Sequence, residues 1–270
     1  MGRPLWFVKL LRKVYPGRFL LAKTTKVPLL GGLLDHALFD GDDLMYLPRT
    51  GRIEVHQPIE LHGDYVIPKQ VVDHFIEKAT VHWVMNACIC RQASNCKDYP
   101  IDLGCLFLGE AALGINPELG HRVTKQEAFE HAQRCREAGL VHLIGRNKLD
   151  TIWLGVKPGI KLLTICNCCP CCCLWRVLPH VSDQISSKIT RMPGVTVEVN
   201  DQCIGCGTCI EVCFVDAIRL VDGRAERSEA CRGCGRCVEV CPEGAIVIKI
   251  EDAETVEKAI AHITSLVDIS

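Results

Sequence analysis

Cys203-Ile-Gly-Cys206-Gly-Thr-Cys209-Ile-Glu-Val-Cys213 is followed 28 residues on by Cys231-Arg-Gly-Cys234-Gly-Arg-Cys237-Val-Glu-Val-Cys241-Pro242. Both halves read C-x2-C-x2-C-x3-C, a spacing whose thiolates hold cubane iron–sulfur clusters. An Ala-Ile pair trails each copy, Ala217-Ile218 and Ala245-Ile246, so the repeat extends past the cysteines. Three thiolates two residues apart fit a tight loop around one cube. Gly205, Gly207, Gly233 and Gly235 leave that loop free to take positive φ and to turn its amides toward sulfur. Zinc explains the run poorly, because zinc sites rarely use a cysteine triplet plus a remote fourth.

Over roughly 195–250 the chain resembles bacterial-type two-cluster ferredoxins. The resemblance implies crossed ligation, the fourth cysteine of each run serving the other cluster. Cys203, Cys206, Cys209 and Cys241 then hold one [4Fe-4S] cluster, and Cys231, Cys234, Cys237 and Cys213 the other. Phe214 departs from the pattern, standing where the family usually has proline; Pro242 keeps it in the second copy.

The chain has 270 residues, enough for one or two domains, and nineteen cysteines. No apolar run approaches the ~18–20 residues that span a bilayer. The opening Pro4-Leu5-Trp6-Phe7-Val8-Lys9-Leu10-Leu11-Arg12-Lys13 breaks its apolar stretch with charge, unlike an export signal. So many cysteines in that context are expected to be reduced thiolates kept for metal. This points to the cytoplasm of an anaerobe. Net charge is −1, but residues 1–34 carry seven Lys or Arg and no acid, whereas residues 201–270 carry seven basic and thirteen acidic side chains. The acidic end suits steering to a basic redox partner. The basic start suits docking on that face, on another subunit, or peripherally on the inner membrane surface. Nucleic acid is not expected, since no basic face extends the patch.

Along the chain, Leu5, Val8, Leu11 and Tyr15 predict a short amphipathic helix over 4–15. Short strands are expected within 44–66. A helix follows, with Pro68 in its first turn and a stripe of Val71, Val72, Phe75, Ile76 and Ala79. Val81–Met85 reads as a strand. Thr124 and Glu127 form a capping box for a helix over 125–138 that Gly139 ends. On it, Cys135 reads as a core residue; His131 and His142 read as surface or core-edge residues rather than ligands. Residues 160–165 predict a strand. A helix past Pro170 is expected from Val181, Ile185 and Ile189, and Met192-Pro193-Gly194 marks a linker. A last amphipathic helix over 252–267 is expected to cap the preceding domain.

A second group of cysteines lies upstream: Cys88, Cys90, Cys96 and Cys105, then Cys166, Cys168, Cys169, Cys171, Cys172 and Cys173. Twice a strand ends in C-x-C, at Cys88/Cys90 and Cys166/Cys168. In extended chain, i and i+2 point the same way, roughly 6.6 Å apart. If the two strands are neighbours, four thiolates converge. The alternative grouping sets Cys88, Cys90, Cys96 and Cys105 apart from 166–173. A helix starting past Pro170 would favour thiolate at Cys169, Cys172 and Cys173 through its dipole. Six cysteines in eight residues have no packing rationale, so metal is expected: an iron–sulfur cluster first, with zinc as the alternative. Residues 85–175 (Cys88-Ile-Cys90-Arg91, Cys96, Pro100, Cys105-Leu, Gly139-Leu-Val-His142 and Ile165–Cys173) resemble uncharacterised iron–sulfur proteins of anaerobes.

The expected fold is α+β. A basic segment (1–34) and a cysteine-rich α/β domain (35–192) precede a ferredoxin-like domain (195–250) and a terminal helix (251–270). The expected function is an electron-transfer protein or subunit serving a partner oxidoreductase. An enzyme reducing a disulfide or other small molecule at 166–173, and a metal or redox sensor, are the alternatives. No glycine-rich nucleotide loop is evident.

Overall fold

The computed structural model describes residues 2–49, 53–55, 67–250 and 254–270. Among the described residues twelve strands run along the chain: β1 (Asp43–Tyr46), β2 (Ile53–Val55), β3 (His82–Met85), β4 (Leu106–Leu108), β5 (Gly120–Val123), β6 (Val141–Arg146), β7 (Leu163–Cys168), β8 (Ile189–Arg191), β9 (Val195–Val199), β10 (Ile218–Val221), β11 (Arg224–Arg227) and β12 (Ile246–Ile250). Seven form one sheet in the order β5-β3-β4-β7-β6-β1-β8, antiparallel except for the β1–β8 pair. Its central strands read as apolar runs, Leu106-Phe-Leu and Leu163-Thr-Ile, because both faces are covered. Leu106, Phe107, Leu108, Leu163 and Ile165 are fully buried. Each such side chain contributes about 1.5–3 kcal/mol relative to exposure.

The expected helices flanking this sheet are present. Ile67–Lys78 carries Pro68 in its first turn and buries Val71, Val72, Phe75 and Ile76. Lys125–Glu137 begins at the reciprocal capping box of Thr124 and Glu127, and Gly139 follows it at φ 78°. Short strands appear within 44–66 as β1 and β2; residues 50–52 and 56–66 of that stretch lie outside the described residues.

Four expectations need correction. The strand expected over 160–165 is shifted to Leu163–Cys168, because Gly159–Lys161 closes a 3-10 turn. The helix past Pro170 is absent. Its place is taken by a turn, a 3-10 segment Leu174–His180, the short helix Asp183–Ser186, and β8. Pro179 lies inside that 3-10 segment and has no N–H to continue an α-helix. The basic segment holds more than one helix: Leu5–Val14 is followed by Arg18–Thr24 and Pro28–Phe39. Finally, helix Thr255–Leu266 packs against Ile67–Lys78 and β6, so it ties the two halves together rather than capping one.

The chain passes from the large sheet to a small one at Met192–Gly194, where the linker was expected. The apolar core is not divided there. Central strand β12 pairs with β9 antiparallel and with β2 parallel, and one core cluster joins Val71 and Ile165 to Ile248 and Cys237. Hairpin β10–β11 turns at Asp222-Gly223, both with positive φ as a type I′ turn requires. Among the described residues no helix is long and apolar enough to cross a membrane.

Candidate metal centres

The repeat folds as its spacing demands. Gly205, Gly207, Gly233 and Gly235 all have positive φ, between 65° and 81°. A Cβ at Gly205 would lie 2.1 Å from the carbonyl oxygen of Gly223, so the first loop tolerates only glycine there. Cys203, Cys206, Cys209 and Cys241 line one pocket together with Ile204 and Leu220. In the second set, Cys213 lies close enough to Cys231, Cys234 and Cys237 to raise their thiol pKa values, after burial, which is the larger cause. The sulfurs already accept backbone amides: Ala225 N–H to Cys203 at 3.4 Å, Gly233 to Cys231 at 3.4 Å, Ala217 to Cys213 at 3.2 Å and Ala245 to Cys241 at 3.2 Å. The last two bonds are the same contact repeated in each copy. Donors aimed at sulfur suit thiolates that carry cluster charge, so the residues fit iron–sulfur ligation.

Residues 202–245 match the family described as the 4Fe-4S dicluster domain. No curated protein and no solved structure matches the chain.

The upstream cysteines divide in a way neither expected grouping anticipated. Strands β3 and β7 are not neighbours, because β4 runs between them. Cys105, at the entry to β4, fills the gap, and its Sγ lies 3.7 Å from that of Cys166. Cys166 and Cys168 project from one extended strand as expected. Cys88 and Cys90 do not, since the short helix Ile89–Ala93 begins between them. All five nevertheless line one cavity with Cys173 and Cys169. That cavity measures about 560 Å³, and its other wall is built from the first 39 residues, including Phe7, Leu11, Tyr15, Leu34 and Phe39. Of the stripe expected on the first helix, Leu11 and, just past the helix end, Tyr15 line the cavity, whereas Leu5 and Val8 do not. Cys96 belongs elsewhere: with Cys169, Cys171 and Cys172 it forms a compact four-sulfur group.

Within the cavity set, the thiol of Cys90 donates to Cys88 and, with Arg91 nearby, holds Cys88 down to about 7. Cys168 is held well below the ordinary thiol value by the thiols of Cys166 and Cys173 and by Arg236 and Arg91. Arg91 has no exposed surface. It donates to the backbone carbonyls of Asn167, at 2.7 Å, and Leu103. Burial opposes its charge, but Cys88, Cys169 and Cys105 outweigh that and raise its pKa. A buried guanidinium whose anions are all cysteines fits thiolate or cluster charge beside it.

His131 and His142 are buried rather than superficial. His131 Nε2 meets Gly104 O at 2.9 Å, and His142 Nδ1 meets Asn167 Oδ1 at 2.8 Å. Burial lowers both pKa values, that of His142 to about 3, so the rings are neutral hydrogen-bonding struts. Asn167 passes the support on, donating to Gly104 O at 2.7 Å. Cys135 is a fully buried core residue, as expected.

Three residues that the spacing did not reveal join the two cysteine regions. Tyr46 is buried, its hydroxyl without a hydrogen-bond partner among the described residues. Its pKa is raised by burial and then by Cys168, Cys173 and Cys234, which come from both halves. Phe214, the departure from the ferredoxin pattern, packs on Tyr46 with ring centroids 5.0 Å apart. Arg236, between Cys234 and Cys237, donates to Cys168 O and to Gly139 O.

Proposed function

We propose that the chain is an iron–sulfur electron-transfer protein. In this reading residues 202–245 hold two [4Fe-4S] clusters with the crossed ligands Cys203/Cys206/Cys209/Cys241 and Cys231/Cys234/Cys237/Cys213. A further cluster sits on the cavity cysteines. The observation that carries it is the pair of four-cysteine sets, each supplied with amide donors to sulfur, joined to a third thiolate set through Tyr46 and Arg236. When bound, such clusters take up and release single electrons. The chain's part is to hold the thiolates, exclude water around Tyr46 and Phe214, and offer the acidic surface of residues 201–270 to a basic partner oxidoreductase. The compartment that goes with this reading is the reducing cytoplasm of an anaerobe, where cysteines are kept available as metal-binding thiolates.

Iron and sulfide analysis of the anaerobically purified full chain tests this. The expected content is about twelve iron per chain, at four per cubane. Replacing Cys206 and Cys209 by serine should remove about four, and replacing Cys234 and Cys237 another four. Iron that remains in the combined variant and disappears with Cys166→Ser and Cys168→Ser belongs to the cavity. A combined variant without iron refutes the third cluster.

The cavity favours a second reading, that of an enzyme. Its volume of about 560 Å³ and its aromatic and aliphatic wall exceed what one cluster fills. A small apolar disulfide could be reduced there with two electrons and two protons, giving two thiols. A spectral change on adding such a disulfide, confined to the iron lost with Cys166→Ser, would favour this reading.

A further inference from the structure

We infer that Cys96, Cys169, Cys171 and Cys172 form a closed tetrathiolate site for a single zinc ion. The four sulfurs all lie within 4.8 Å of one another, and those of Cys96 and Cys171 are 3.6 Å apart. Zinc–thiolate bonds of about 2.3 Å place tetrahedral sulfurs about 3.8 Å apart and never beyond about 4.6 Å. In a cubane each thiolate binds a different iron and points outward from the cube, so the sulfurs stand further apart. The same molecule supplies the comparison: among the described residues no set of ferredoxin-type or cavity cysteines is drawn together this tightly.

The surroundings suit such an ion. The Cys172 amide donates to Cys169 Sγ at 3.3 Å. Backbone N–H bonds to thiolate sulfur, from the residues just after a cysteine, orient its lone pairs. Four thiolates and one zinc carry −2, and the buried Arg91 guanidinium, whose charge Cys169 favours, offsets half of it. Three of the four cysteines are buried, which suits a closed structural site. The ion would pin the loop around Cys96 to the turn after β7, fixing one edge of the cysteine cavity. It would release thiol protons on binding and take no part in electron transfer.

Zinc-edge X-ray absorption and metal analysis of the full, anaerobically purified chain decide the matter. The expected result is one zinc per chain with a single shell of four sulfurs at about 2.3 Å. Cys96→Ser and Cys171→Ser should each remove most of the zinc and leave the iron content unchanged. Should those variants fail to fold, the wild-type spectrum suffices alone. A zinc-free protein, a lone iron in the site, or iron–iron scattering that disappears with Cys96→Ser would overturn the assignment.

A different observation carries a second proposal: the first 34 residues form a peripheral docking surface for an anionic lipid bilayer. Trp6, Leu10 and Val14, spaced four apart on helix Leu5–Val14, are 66%, 48% and 57% exposed. Leu20, Leu29 and Leu33 on the next two helices are more exposed still, each above two-thirds. Phe7 and Leu11 on the opposite side of the first helix face the cavity, and Val14 stands at its mouth, lining it while still 57% exposed. Lys9, Lys13, Lys23 and Lys26 are exposed among these residues, and the segment holds no acid. Apolar side chains amid cations match a phospholipid surface of negative charge.

The test is co-sedimentation of the full chain with vesicles of phosphatidylcholine alone or mixed with phosphatidylglycerol. Retention is expected only on the anionic vesicles. It should fall at least tenfold with Leu29→Ser and Leu33→Ser together, or with Lys9→Glu and Lys13→Glu together. Equal retention on both vesicle types, no retention, or a concentration-dependent dimer abolished by the leucine substitutions would overturn it.

Discussion

With metal bound in both halves as proposed, replacing Arg91 by methionine will empty the upstream half and leave the iron of residues 202–245 in place. The residue lines the cavity with Cys88, Cys105 and Cys169, whose charges favour its own, and Cys169 also belongs to the four-sulfur group. Methionine fills the volume but supplies no charge. The carbonyls of Asn167 and Leu103 lose their donor, and thiolates that Arg91 favours bind protons more readily, in competition with metal. The stability loss should be about 3–5 kcal/mol, the range for breaking a buried charge arrangement by removing one partner. Lysine should recover only part of it, since an ammonium cannot span both carbonyls. Metal analysis beside denaturant unfolding gives the answer. Unchanged metal with a loss under about 1 kcal/mol would show that Arg91 only fills space.

What the sequence made plain was whatever is local. Triplet spacing, the four glycines of the repeat, the Thr124–Glu127 box and the stripe from Val71 to Ile76 each act within a dozen residues. Their geometry therefore appears as read. What escaped reading was long-range. Strand order is set by hydrogen bonding between distant segments, so β4 could come between β3 and β7 and bring Cys105 into a set that spacing alone assigned otherwise. Cys96 and Cys171 are 75 residues apart, and no pattern in either neighbourhood announces the partner. Helix was expected past Pro170 because Val181, Ile185 and Ile189 are spaced for one; Pro179 outweighed that spacing.

Single residues were the other blind spot. Arg91, Tyr46 and Arg236 each stand alone in the sequence, and an arginine or tyrosine is usually superficial or half-exposed. Phe214 gave the one available hint. It interrupts a repeat that is otherwise closely kept, and the aromatic contact with Tyr46 supplies its physical reason. A departure from a repeat at a buried position is thus a place to look for a contact outside the repeat.

The junction built on those residues gives the second large effect. Arg236→Leu will weaken the hold of the ferredoxin-type half on the cysteine cavity and slow electron passage between them. The guanidinium is buried and reaches Cys168 O and Gly139 O, so one side chain from the Cys234 loop grips the end of β7. Arg49 reinforces the clasp through its amide to Cys234 O at 3.0 Å and its ion pair with Glu239 at 2.6 Å. Losing charged hydrogen bonds worth about 1.5–3 kcal/mol each, with Gly139 O still served by Arg49, should cost about 2–4 kcal/mol. Arg219→Leu, at a largely exposed arginine of the same half, is the control and should change neither quantity. Freeze-quench EPR after rapid reduction of the full chain reads the passage, following the delay before electrons leave the ferredoxin-type signals for the upstream one. Wild-type timing in Arg236→Leu, with stability within about 0.5 kcal/mol of the parent, would mean that the two halves exchange electrons by another route or not at all.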